Sequence, residues 1–102
     1  NFYELRMYRF NPGRAAGWAQ DFKGIMPVRE KYSKNVGIWT GEAPQPNEVL
    51  HMWAYPSLQE RTRARTELFK DPEWLAFLAS QAGAIVEMHN IMLLPTDYSG
   101  LK

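Results

Sequence analysis

Hydrophobic and polar residues alternate over residues 2–10, Phe-Tyr-Glu-Leu-Arg-Met-Tyr-Arg-Phe. That is the period of a strand with two unlike faces: Tyr3, Leu5 and Met7 on one, Glu4, Arg6 and Tyr8 on the other. Asn11-Pro12-Gly13 then reads as a turn, with Asn11 as cap and Pro12 in the first helical position. From about Gly13 to about Ser33 the spacing changes to three and four. Ala15, Trp18, Ala19, Phe22, Ile25 and Met26 fall on one helical stripe, and Pro27 is expected to kink or split the helix.

A second alternating segment follows, with Val36, Ile38 and Thr40 against Gly37, Trp39 and Gly41. The loop Glu42 to Asn47 is of hairpin length. It leads into the third strand, which places Val49, His51, Trp53 and Tyr55 on one face and Leu50, Met52 and Ala54 on the other. Pro56 stops that strand. Ser57-Leu58-Gln59-Glu60 is a capping box that opens a helix running to about Lys70. Asp71-Pro72-Glu73-Trp74 opens another, with Asp71 as cap, Pro72 in the first turn and Trp74, Leu75, Phe77 and Leu78 on the apolar face. A last strand is predicted from about Met88 to Leu94. The order strand, helix, strand, strand, helix, strand is the split β-α-β pattern of ferredoxin-like α+β folds. It predicts one four-stranded antiparallel sheet with the helices on one face, in a single domain over residues 1–102.

The second sheet face would then be bare. Leu50, Met52 and Ala54 look like an ordinary core set, so alternation assigns Glu4, Arg6, Tyr8, Trp39, His51, Trp53, Tyr55, Asn90 and Met92 to the bare side. Tryptophan and tyrosine want apolar cover together with a hydrogen-bond partner, and a large exposed patch of them is rare on a monomer. A two-fold homodimer that stacks the two bare sheets would cover it and enclose a cavity in each half.

The motifs in these strands also resemble those of a known family. Tyr3-Glu4-Leu5-Arg6 with Tyr8, Trp39-Thr40, Asn47-Glu48-Val49 with His51, Trp53 and Tyr55, and Asp71-Pro72-Glu73-Trp74 are together similar to the NIPSNAP family, from the first strand to Pro95. The resemblance implies a dimeric α+β barrel, related in architecture to small antibiotic-biosynthesis-type monooxygenases and muconolactone-isomerase-like proteins. Fold kinship of that kind implies no activity by itself.

Composition narrows the chemistry. Twelve basic and eleven acidic residues give a net charge of +1, which offers no global field for nucleic acid or an anionic membrane. Cysteine is absent, which removes disulfides, thiolate metal sites and thiol catalysis and fits a reducing compartment. With no apolar run of spanning length and no leader pattern at Phe2, a cytoplasmic location is the expectation. No phosphate-binding glycine loop, nucleophile elbow or histidine pair at metal-ligand spacing occurs, so no cofactor or metal is expected. RNA-recognition folds share this element order, but Glu48-Val49-Leu50-His51-Met52-Trp53 is acidic at its start and lacks glycine.

His51 is the candidate acid or base, against the alternative of a buried histidine bonded across the dimer or to Glu4. Glu4 and Arg6 read either as a ligand clamp or as a buried ion pair that fixes register. Tyr8, Trp39, Trp53 and Tyr55 would stack on a planar ligand or pack an interface. Arg61, Arg63 and Arg65 look like a solvated helix face, and His89 points with Ile91 toward the helices. The function expected from these residues is binding of a small planar organic molecule in the barrel cavity. Trp53 and Tyr55 would stack on it, and Arg6 and Asn90 would orient it. Catalysis would follow if His51 removed a proton and Arg6 stabilised the anion, giving cofactor-free oxygenation or isomerisation. The alternatives are an adaptor dimer whose cavity is filled by side chains and, more distantly, an RNA-binding sheet.

Overall fold

A computed structural model describes residues 1–102. The elements run β1 (Phe2–Phe10), α1 (Arg14–Arg29), β2 (Lys34–Thr40), β3 (Glu48–Tyr55), α2 (Leu58–Leu68), α3 (Pro72–Ser80) and β4 (Ile85–Leu93). The four strands form one antiparallel sheet in the order β2-β3-β1-β4. All three helices pack on one face of it, so the predicted α+β architecture is the observed one. No helix is long and apolar enough to cross a membrane.

The side-chain caps of α2 and α3 form at the expected serine and aspartate. Ser57 Oγ accepts from the Glu60 amide at 3.1 Å, although the Glu60 side chain turns to Arg63 instead of closing the box. Asp71 accepts from the amides of Glu73 at 2.9 Å and Trp74 at 3.4 Å, and also takes the Tyr32 hydroxyl at 2.6 Å. That last bond ties the start of α3 to the α1–β2 connection. Helix α1 departs from expectation at both ends. Its cap is Gly13, whose φ of 79° suits glycine, and it runs through the exposed Pro27 unbroken to end at Arg29.

The larger correction concerns which sheet face the helices cover. Strand pairing sets Glu4 beside Trp53, Arg6 beside His51 and Tyr8 beside Val49, with Asn90 next to Arg6. That face lies under the helices, and Val49, His51, Trp53 and Tyr55 are all buried there. Leu5, Met7, Leu50 and Met52 instead share the bare face with Ile91 and His89. Trp39 pairs with Leu50, whereas Ile38 pairs with His51, so Trp39 also belongs to the bare face and is half exposed. Its ring lies across Gly37, where an added Cβ would sit 2.6 Å from the indole. His89 points away from the helices and pairs with Glu87.

The reason for the inversion is chemical. Alternation shows which residues share a face, while the choice between faces depends on what the helices present. Trp18 and Phe22 of α1 and Trp74 and Phe77 of α3 present aromatic rings. Trp18 and Phe22 pack edge to face or tilted against the rings of β1 and β3: Trp18 lies 5.5 Å from Tyr8, and Phe22 lies 5.4 Å from His51 and 6.5 Å from Trp53. Trp74 and Phe77 pack on Phe22 in turn, at 6.3 Å and 5.9 Å. The polar tips that seemed to need a partner subunit are satisfied within the chain. Trp53 donates to His51 at 2.7 Å, and the Tyr55 hydroxyl meets Ser33 Oγ at 2.9 Å.

Candidate functional site

Between the helical layer and the sheet lies a cavity of about 280 Å³. Its inner wall is aromatic, from Tyr8, Trp18, Phe22, Trp74 and Phe77, and its polar lining comes chiefly from Arg6, Arg29, His51 and Arg65. Phe69, Leu78, Gln81 and Met88 contribute the outer part, and the apolar members of that group are exposed. No carboxylate lines it.

Glu4 organises the floor from just outside the cavity. Its carboxylate has no solvent exposure and accepts from Arg6 Nη1 at 2.9 Å, Arg61 Nε at 2.9 Å, Arg61 Nη2 at 2.8 Å and Asn90 Nδ2 at 2.9 Å. Burial alone would raise its pKa. The hydrogen bonds from Arg61 and Asn90 and the charge of Arg6 overcome that and hold it at about 2. Of the two roles open to Glu4 and Arg6, the geometry is that of a buried ion pair. Arg6 also donates from Nε to the Tyr8 hydroxyl at 3.1 Å, so it is fixed on both sides.

His51 has one defined partner. The indole of Trp53 only donates, so His51 Nδ1 must accept, and a neutral imidazole then carries its proton on Nε2. That Nε2 is buried and unpartnered. Burial, reinforced by the charges of Arg6 and Arg29, lowers the His51 pKa to about 3, so the ring is neutral at physiological pH. In this tautomer it offers a ligand an N–H, not the lone pair that a general base needs.

Two further wall residues hold unpartnered buried nitrogens, Arg29 at Nη1 and Trp74 at Nε1. The guanidinium of Arg29 lies 3.9 Å from the Trp53 ring centre and 5.5 Å from that of Trp74, held by cation–π attraction. Every orphaned buried side-chain polar atom in the protein belongs to a residue of this one cavity. Buried polar groups are rarely left unpaired, so three on residues of one cavity single it out.

The sequence-predicted residues therefore divide. Arg6, Tyr8 and His51 line the cavity together. Trp53 lies behind it, orienting His51 and backing Arg29, while Glu4 and Asn90 form the ion network below. Tyr55 packs on Phe2 away from the cavity, and Trp39 is on the opposite sheet face. Arg29 and Arg65 were not among the candidates. Arg65 is half-buried at the cavity and Arg61 reaches Glu4, so of the predicted solvated arginine face only Arg63 remains fully on the surface. Arg29 was legible in principle. It falls seven residues after Phe22 on the apolar stripe of α1, where a charged residue is out of place.

Comparison with known proteins places this arrangement. The sequence matches the NIPSNAP family model over residues 3–100. The chain belongs to the NIPSNAP family. It is 32% identical over 93 residues to a NipSnap homolog of Dictyostelium discoideum and 31% identical over 102 residues to human NipSnap homolog 3A. These alignments cover 91% and 98% of the chain but only 42% and 41% of those relatives, so it spans less than half of their length. Among solved structures, a protein from Agrobacterium tumefaciens superposes with a TM-score of 0.95 at 30% identity, over the full length of both chains. An uncharacterized NIPSNAP domain protein from Burkholderia xenovorans gives 0.92 at 24% identity, covering 97% of this chain and 98% of its own. A Nitrosomonas europaea protein named for antibiotic biosynthesis monooxygenase gives 0.71 at 10% identity, covering 97% and 93%, which is a likeness of fold alone.

Proposed function

We infer that this NIPSNAP domain binds a small planar organic molecule in the cavity between its helices and its sheet. The observation that carries the reading is that the three unpartnered buried N–H groups belong to Arg29, His51 and Trp74, which all line one aromatic-walled space. Rings on several sides suit a flat body, and fixed donors suit its acceptor atoms. The exposed side chains of Phe69, Leu78 and Met88 give an apolar body a compatible entrance. Binding is favoured over proton abstraction because the lining provides donors and rings, with His51 Nδ1 already taken by Trp53. His51 and Arg6 would polarise or orient the ligand as donors.

Thermal denaturation with a panel of planar aromatic compounds tests this. A compound at about ten times its Kd adds roughly 1.4 kcal/mol, enough to raise the Tm of a domain this size by several degrees. Gln81→Trp, at the outer part of the cavity, should abolish the rise without unfolding the protein. A panel that produces no rise, or a rise that survives Gln81→Trp, contradicts the reading.

A second copy of the chain is proposed to cover the bare sheet face. Leu5, Met7, Trp39, Leu50, Met52 and Ile91 make that face apolar, and the segment after Pro95 brings Thr96, Ser99 and Leu101 beside only its Tyr3 and Met52 end. A two-fold axis through the face would pair like with like. The substitution that tests it is Met52→Glu, since Trp53 faces the helices. Light scattering should show a dimer for the parent and a folded monomer for Met52→Glu. A parent that is monomeric at micromolar concentration contradicts the proposal.

A further inference from the structure

The charges around the cavity do not balance, and the imbalance identifies the ligand's chemistry. Arg6 and Arg61 share the carboxylate of Glu4. Arg29 and Arg65 also line the space, and neither has a carboxylate within ion-pair distance: the ion pairs of the fold involve Arg6, Arg9, Arg61, Arg63, Lys70 and His89. Arg29 is 98% buried, and a buried cation without a counter-charge is costly unless something anionic joins it. Its guanidinium carbon lies 3.9 Å from the Trp53 ring centre, and its Nη1 is buried without a partner. The planar donor fork of a guanidinium matches a planar two-oxygen acceptor.

Resting on the ligand-binding reading above, we propose that the ligand is an aromatic or similarly planar organic acid whose carboxylate is taken by Arg29 and Arg65. Its flat body lies among Trp18, Phe22 and Phe77. The neutral N–H groups of His51 and Trp74 serve a second acceptor on the ligand, such as a hydroxyl or carbonyl oxygen. An acid fits better than a neutral molecule because two arginines without a carboxylate partner, one buried and one half-buried, line the same cavity. It fits better than inorganic phosphate because most of the wall is apolar.

The test is isothermal titration of the intact protein with 2-naphthoate, with its isosteric neutral amide 2-naphthamide, and with inorganic phosphate. The naphthoate should bind at least about tenfold more tightly than the amide, the usual scale of a charged hydrogen-bonded contact. Phosphate should neither bind comparably nor displace the naphthoate. Arg65→Gln, on the partly exposed side of α2, should keep the fold by circular dichroism and erase the preference for the acid. Arg29→Gln should do the same if it folds. An amide that binds as well as the acid overturns the charge inference and leaves the ligand-binding reading standing. Phosphate binding comparable to naphthoate overturns the organic part. If neither naphthyl compound binds, this inference falls together with the reading beneath it.

Discussion

Glu4→Gln is expected to destabilise the protein by about 3–5 kcal/mol, the usual scale for removing one partner of a buried ion network. The carboxylate is fully enclosed and accepts from Arg6, Arg61 and Asn90 at 2.8–2.9 Å. Glutamine has nearly the same shape but carries no charge, and its amide group would face donors with another donor. Arg6, only 11% exposed at its side chain, would lose its counter-charge beside Arg29 and Arg65. A domain of this size has a total stability of only about 5–15 kcal/mol, so the variant should melt well over 10 °C lower or fail to fold. Replacing Glu4, Arg6 and Arg61 together by apolar residues should restore part of the loss, since a buried charge network and a packed apolar patch differ little in net stability. Urea unfolding of the parent, single and triple variants reads this out. A loss below about 1 kcal/mol for Glu4→Gln would mean that water screens the network.

The second large effect is acid lability that begins near neutral pH. Folded His51 stays neutral down to about pH 3, whereas in the unfolded chain a histidine takes up its proton near 6.5. Between these values the unfolded state binds more protons, so stability is full above about pH 6.5 and falls as the pH drops toward 3. The loss between pH 7 and pH 5 from this residue should be about 2 kcal/mol. Glu4 acts in the same direction in a lower window. Its folded value of about 2 lies below the ordinary 4.5, so its contribution is full above 4.5 and is lost as the pH falls through 2. The two windows separate the residues. His51→Gln should flatten the dependence between pH 7 and pH 5 while leaving the steeper loss below 4.5. A parent whose urea midpoint is constant from pH 7 to pH 5 contradicts the burial and protonation state assigned to His51.

Much of this architecture was legible in the sequence because its signals are local. Strand alternation at residues 2–10 and 47–55, the serine and aspartate caps at Ser57 and Asp71, and the stripe from Ala15 to Met26 each depend on neighbours within a few residues. The side of the sheet that faces the helices depends on long-range packing. Leu50, Met52 and Ala54 are as apolar as a core set, while His51, Trp53 and Tyr55 look unsuited to one until their partners are known. Those partners, Trp53 to His51 and Tyr55 to Ser33, exist only in the fold. For the site, Arg6, Tyr8 and His51 could be found from the alternation of two strands. Arg65 could not, because alternate arginines on a short polar helix look the same whether they meet solvent or a cavity. Arg29 carried a signal in its place on the apolar stripe, weakened by the proline two residues before it.

The cavity wall is expected to offer N–H donors to a bound acid, and the His51 ring reports on that wall most directly. Nitrogen-15 NMR of histidine-labelled protein resolves both ring nitrogens and their protonation. The predicted spectrum at pH 5 shows His51 neutral, with Nε2 protonated and Nδ1 accepting, and the Nε2 signal shifts when 2-naphthoate is added. An imidazolium at pH 5, the opposite tautomer, or an Nε2 signal that does not move under saturating 2-naphthoate would contradict it.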